Sequence, residues 1–244
     1  MSRLLLAVVA ITLLSAHVAP SVDDNNRYLK LTPLGDRVRI AYTVFFGEIP
    51  GASERRGIDA NRDGRIDDAE AHAFGERLAG QVAANLELEV DGVRQPVRWT
   101  TIDVGMGTPE VAAGSFSVDL VAYPCLPVAR GRHRIQLRDK MQLTRPGETE
   151  VKVEDSPGVS IDHARVGPAD DPSYDYKFVG AGGPIADDGL DVQFNAGPKA
   201  LVTADNVCSA PGKPGSALPW ILGGVAVVLA LAGGSFVLWR RRRG

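Results

Sequence analysis

The run Asp59-Ala60-Asn61-Arg62-Asp63-Gly64-Arg65-Ile66-Asp67-Asp68-Ala69-Glu70 constrains this chain more than any other. A hard divalent cation needs about six to eight oxygen ligands, and the run offers them at alternating positions. Asp59, Asn61 and Asp63 present side-chain oxygens, Arg65 a backbone carbonyl, and Asp67 a carboxylate that acts directly or through water. Glu70 closes the shell with both of its oxygens. Gly64 stands sixth, where the chain must turn sharply and a positive φ is easiest without a Cβ. Ile66, apolar in eighth place, anchors the loop to the rest of the protein. The expected occupant is Ca²⁺.

This register resembles the EF-hand calcium loop at every diagnostic position. The resemblance implies two flanking helices and a metal site made of Asp59, Asn61, Asp63, Arg65, Asp67 and Glu70. The exiting helix is well supported, because 69–85 is rich in Ala, Glu, Arg and Leu. Ala71, Phe74, Leu78 and Val82 fall on one face at helical spacing. The entering helix is expected to be stunted, since Pro50, Gly51 and Gly57 confine it to 52–57. No second loop of this pattern occurs, so Ile66 must brace against the β-domain or a second subunit.

The two ends of the chain stand apart from the fold. Residues 1–19 have a basic Arg3, a short apolar stretch and small residues at Ser15-Ala16, the pattern of a secretory signal peptide. Residues 218–239 are almost wholly apolar and long enough for one transmembrane helix, with Trp220 and Trp239 at its edges. Four arginines follow in the tail 240–244, which places the tail in the cytoplasm and the body of the chain outside. A carboxy-terminal sorting tag that is cut and replaced has the same layout. A Pro/Gly spacer over 207–217 links the span to an exported domain over 20–206. Cys125 and Cys208 are the only cysteines, and a disulfide between them is open outside the cytoplasm.

That exported domain reads as mainly β, a β-sandwich-like fold with the EF-hand loop and one α-helix inserted. Strands are expected at 28–33, 38–46 and 86–90. A turn at Asp91-Gly92 leads to a partner strand over 93–101, which Pro96 places near an edge. Further strands are expected around Phe116–Val121, Ile135–Leu137, Val151–Val153, Val159–Ile161 and 199–203. The stretch 167–198 reads as less regular.

Residues 27–93 also resemble the extracytoplasmic N-terminal domain of hydrogenase- and urease-type nickel–cobalt permeases. The shared features are Arg37 to Tyr42, then Gly47-Glu48-Ile49-Pro50, the acidic loop with its helix, and Leu86 to Gly92. A permease needs several spans with intramembrane ligands, and this chain has one span without them. The resemblance therefore implies at most an accessory or regulatory subunit of a separate transporter or surface assembly.

Catalysis is not expected. No Gly-x-Ser-x-Gly elbow, His-Glu-x-x-His motif or Walker loop occurs. The formal net charge is −3 even with the basic tail, and no arginine or lysine stripe argues for nucleic acid. His72 is expected to be exposed, and His133 to sit on a basic strand face. Asp187, Asp188 and Asp191 read as a solvated acidic loop. The chain thus reads as an exported, membrane-anchored calcium-binding protein whose calcium is structural.

Overall fold

A computed structural model describes residues 23–167, 178–179, 189–203 and 208. The signal segment, the span, the basic tail, Asp187 and Asp188 lie outside the described residues, as does the spacer apart from Cys208. Among the described residues, no helix is long and apolar enough to cross a membrane.

The protein is mainly β, with two sheets. β1 (Asn25–Pro33), β2 (Val38–Phe46), β5 (Trp99–Gly105), β6 (Phe116–Ala122), β8 (Pro146–Val153) and β10 (Phe178–Val179) make one sheet, in the order β10-β8-β1-β2-β6-β5. β3 (Leu86–Val90), β4 (Val93–Gln95), β7 (Gly131–Asp139), β9 (Val159–Val166) and β11 (Leu190–Ala196) make the other, in the order β4-β3-β7-β11-β9. The β1–β8 pair is parallel, whereas the other pairs run antiparallel.

Period-two alternation explains the buried faces. Leu29, Leu31, Ile40, Tyr42, Val44, Val118 and Leu120 point inward from the first sheet. Leu88, Val90, Ile135, Leu137, Val192 and Phe194 do so from the second, and all join one core cluster. Burying such side chains stabilises the fold by about 1.5–3 kcal/mol each. Between the sheets, Arg27 Nη1 meets Asp139 Oδ2 at 2.5 Å, and the Tyr42 hydroxyl donates to the same oxygen at 2.9 Å. Arg27 and Asp139 are 2% and 0% exposed, so this pair is held in a medium that strengthens it and penalises loss of either partner.

Register defines two poles. β1 and β2 pair from Asn25↔Phe46 to Pro33↔Val38, and the other strands of both sheets run between the same two ends. Helices α1 (Glu48–Ile58) and α2 (Asp68–Asn85) occupy the pole where β2 ends. The turn at Gly35-Asp36, the start of β7 and the Cys125–Cys208 disulfide mark the opposite pole. That disulfide is formed, with its Cα atoms 5.2 Å apart.

Three local expectations are corrected. The entering helix is not stunted: α1 runs for 11 residues. Pro50 lies in its first turn, where a missing N–H removes no helical bond, and the first such bond comes from Gly51 N–H to Gly47 O at 2.7 Å. Gly51 is buried because α1 lies so close to Gly114 that a Cβ would fall 2.5 Å from its carbonyl oxygen.

The strand expected over 93–101 is broken at Pro96, which has no N–H for the ladder. β4 ends at Gln95, and the chain crosses to the other sheet as β5. Residues 199–203 form no strand, because Gly197-Pro198 ends β11. The strand lies earlier, where Leu190, Val192 and Phe194 alternate within the stretch read as irregular.

Candidate metal loop and its partner

The acidic loop joins α1 to α2, and its first hydrogen-bonded shell is internal. Asp59 accepts from the backbone N–H groups of Asp63 and Gly64 at 3.2 and 3.0 Å. Asn61 Oδ1 accepts from Asp63 N–H and Asp63 Oδ1 from Arg65 N–H, each at 2.8 Å. These short-range bonds from Asp and Asn side chains curl the backbone around their own oxygens. Arg62 and Gly64 take positive φ values of 62° and 86°, which sharpen the turn.

Glu70 serves two structures at once. Its N–H donates to Asp67 Oδ1 at 2.8 Å, and its Oε2 accepts from Asp67 N–H at 3.2 Å, a capping box that starts α2. Its Oε1 accepts from Ala60 and Asn61 N–H at 2.8 and 3.2 Å, which carries the last residue of the loop back to its beginning.

The bracing of Ile66 comes from within the chain. Ile66 N–H donates to Pro109 O at 2.8 Å, and Val111 N–H donates to Gly64 O at 3.0 Å. Arg65 and Glu110 therefore face each other as a non-hydrogen-bonded antiparallel pair, and their own carbonyls point away from the bridge. Ile66 itself is 5% exposed and joins the core. The segment 106–115 thus braces the acidic loop at Gly64 and Ile66.

This partner segment is wrapped around a side-chain cation. Arg55, on α1, is 0% exposed and donates to five backbone carbonyls: Met106, Thr108, Glu110, Gly114 and Ser115. The distances run from 2.5 Å to Met106 to 3.3 Å to Ser115. Its guanidinium carbon lies 5.4 Å from the Phe116 ring centroid. Burial pulls the guanidinium below its ordinary pKa range, and the Glu110 charge opposes that. A planar five-donor fork suits such a cage, whereas an ammonium has three donors.

Aromatic packing seats this assembly on the sheets. Phe46 of β2 stacks on Phe116 of β6 at 4.5 Å, and Phe74 of α2 meets their edges at 5.7 and 5.6 Å. Trp99 Nε1 donates to Ala79 O at 2.9 Å and holds α2 against β5. The expected face of α2 is the buried one: Phe74, Leu78 and Val82 are in the core, with Ala71 packed against it.

The structure thus brings Asp59, Asn61, Asp63, Arg65, Asp67 and Glu70 into one curled loop. Among the described residues, no three His, Cys, Asp or Glu side chains converge into a metal-holding group. The carboxylates instead gather backbone N–H donors. The donor set is all oxygen, with four carboxylates, one amide and one main-chain carbonyl, and that chemistry fits a hard cation such as Ca²⁺.

Other candidates fall elsewhere. His72 is exposed beside Glu76. His133 is buried rather than on an open basic face, with Nδ1 2.8 Å from Asp91 Oδ2 and Nε2 2.9 Å from Arg130 O. It locks the β3–β4 turn to β7. Asp191 pairs with Arg134 at 2.9 and 2.5 Å. Sequence reasoning missed Arg55, Arg27 and Asp139, because nothing local distinguishes them from surface charges.

No protein-family model matches the chain, and no curated protein matches it in sequence.

Proposed function

We propose that this chain is an exported, membrane-anchored calcium-binding protein without catalytic activity, in which Ca²⁺ clips the acidic loop to a β-sandwich. The observation that carries the reading is the opposition of Arg65 and Glu110. Their bridge leaves both residues' own carbonyls pointing away from it, and the Glu110 carbonyl accepts from the Arg55 guanidinium at 3.1 Å. One loop supplies its own cation, and the other has the oxygen donors to take one from solution.

Asp59, Asn61, Asp63, Asp67 and Glu70, with the Arg65 carbonyl, would hold the ion. Ca²⁺ would neutralise part of the carboxylate repulsion and cross-link the end of α1 to the start of α2. Extracellular modules of this type bind with dissociation constants of about 10⁻⁴–10⁻³ M, so external calcium would keep the site filled. The bridge to 109–111 and the buried Arg55 cage favour a static clip over a switch. The likeness of residues 27–93 to the permease-associated domain adds a fold analogy and no transport role.

The test is calorimetric titration of the full-length protein with Ca²⁺, Mg²⁺ and Ni²⁺. Saturable calcium binding that is lost in Glu70→Gln is the expected result. A response to nickel alone would overturn the reading.

A further inference from the structure

Among the described residues, six large apolar side chains are exposed, and four of them lie at the pole opposite the acidic loop. Tyr123, Val128, Leu201 and Val202 are 37, 67, 55 and 46% exposed. Their two segments meet at one turn. Gly35 N–H donates to Leu201 O and Gly35 O accepts from Arg130 N–H, both at 2.6 Å. Next to it, Asp36 O accepts from Leu126 N–H at 2.8 Å, and the Asp36 carboxylate accepts from Thr203 N–H at 3.3 Å.

The chain leaves the domain at this same pole. Cys208 is bonded to Cys125, which bridges to Arg37 at the start of β2. Residues 209–217 then separate Cys208 from the apolar run 218–239. Even fully extended, nine residues reach only about 30 Å, so a bilayer holding that run is always within reach of this pole. Such a tether keeps the local lipid concentration high, and weak contacts then suffice. Arg130, Arg132 and Lys199 are exposed around the patch, together with the exposed acids Asp155 and, beside Arg132, Asp91 and Asp162. Apolar tips set among charged side chains match the headgroup region of a bilayer, where the three cations can meet anionic headgroups.

We propose that this pole is a lipid-docking surface, with Tyr123, Val128, Leu201 and Val202 entering the headgroup region and Arg130, Arg132 and Lys199 meeting anionic headgroups. The inference rests on the membrane-anchored reading of 218–239.

The test uses the full-length chain in vesicles of mixed phosphatidylcholine and phosphatidylglycerol, with plain or brominated acyl chains. Quenching of native Trp220 and Trp239, taken as the difference from a Trp220→Phe, Trp239→Phe variant that keeps only Trp99, reports the anchor, and the same variant is the baseline for each added tryptophan. Val128→Trp and Leu201→Trp, each with Trp220→Phe and Trp239→Phe, report the patch, and Ile49→Trp on α1 is the control. The added tryptophan at 128 or 201 is expected to shift to the blue and lose roughly half its emission in brominated lipid, while Ile49→Trp is unchanged. Unquenched 128 and 201 beside quenched native tryptophans would overturn the docking surface and leave the anchor standing. Unquenched Trp220 and Trp239 would overturn both, and equal quenching at 49 would reduce the effect to non-specific adsorption and overturn the docking surface.

Discussion

Glu110 stands opposite Arg65 across a short antiparallel bridge, and their side chains also pair, with Arg65 Nη1 2.9 Å from Glu110 Oε1. The side-chain pair is half-exposed and stabilises by roughly 0–1 kcal/mol. The backbone relationship matters more. It joins the acidic loop to a segment folded around Arg55, so loop shape depends on a buried cation several residues before the loop begins.

Calcium is expected to raise the melting temperature of the full-length protein. At free calcium 100 times the dissociation constant, the gain is about 2.7 kcal/mol, or a shift of roughly 5–11 °C for a domain of this size. Scanning calorimetry with calcium and with chelator checks this, and Glu70→Gln is expected to bring the two curves together. Coincident curves for the unsubstituted protein would contradict the calcium reading.

Arg55→Met is expected to cost about 3–5 kcal/mol in urea denaturation, because five carbonyls lose their donor in a buried site. Arg55→Lys is expected to recover only part of that, since an ammonium cannot reproduce the fork. Both variants are expected to weaken calcium binding as well, measured as a smaller calcium-induced melting shift. Wild-type stability in Arg55→Met would show that the cage contributes little.

At the centre of the fold, Asp139→Asn is expected to destabilise by about 3–5 kcal/mol, because it leaves the Arg27 charge buried without its counter-ion. Tyr42→Phe is expected to cost less, about 1.5–3 kcal/mol for one hydrogen bond to a charged group. Burial first, and then the Asp139 charge, push the Tyr42 phenol far above its ordinary pKa range, so it remains a donor at any working pH. Equal losses in the two variants, read from chemical denaturation, would refute this ranking.

Reduction of Cys125–Cys208 is expected to lower stability by about 2–5 kcal/mol, since the bond closes a loop across a sequence separation of 83. The double variant Cys125→Ser, Cys208→Ser is expected to reproduce the effect. Matching urea midpoints with and without reductant would argue against it.

Acid is expected to weaken one surface cluster in a defined direction. A hydrogen bond from Lys140 at 2.9 Å, with the charges of Lys140, Arg94 and Arg138, holds the Glu87 carboxyl below its ordinary range. A depressed folded-state pKa means that the stabilisation is complete above the unfolded value and is lost as pH falls through the folded one. Melting temperature should therefore drop below about pH 4.5, and Glu87→Gln should drop less steeply over that interval. Parallel pH profiles for the two proteins would remove Glu87 from the account.

Local rules made part of this protein legible in its sequence. The sharp turn at Gly64 in the loop from Asp59 to Glu70, the β1–β2 hairpin, the buried face of α2 and the tight turn at Asp91-Gly92 each depend on neighbours a few residues apart. Only the tertiary structure decided the rest. Pro50 was compatible with a full helix because it fell within the first turn, and Gly51 because Gly114 lay against it. Pro96 divided one apparent strand between two sheets. Arg55 became the ion of a partner loop, Arg27 and Asp139 became a buried pair, and Cys125 found Cys208, because folding joined segments far apart in the chain. The reason is physical: backbone curvature is set by adjacent residues, whereas burial and charge pairing are set by whatever the fold brings alongside.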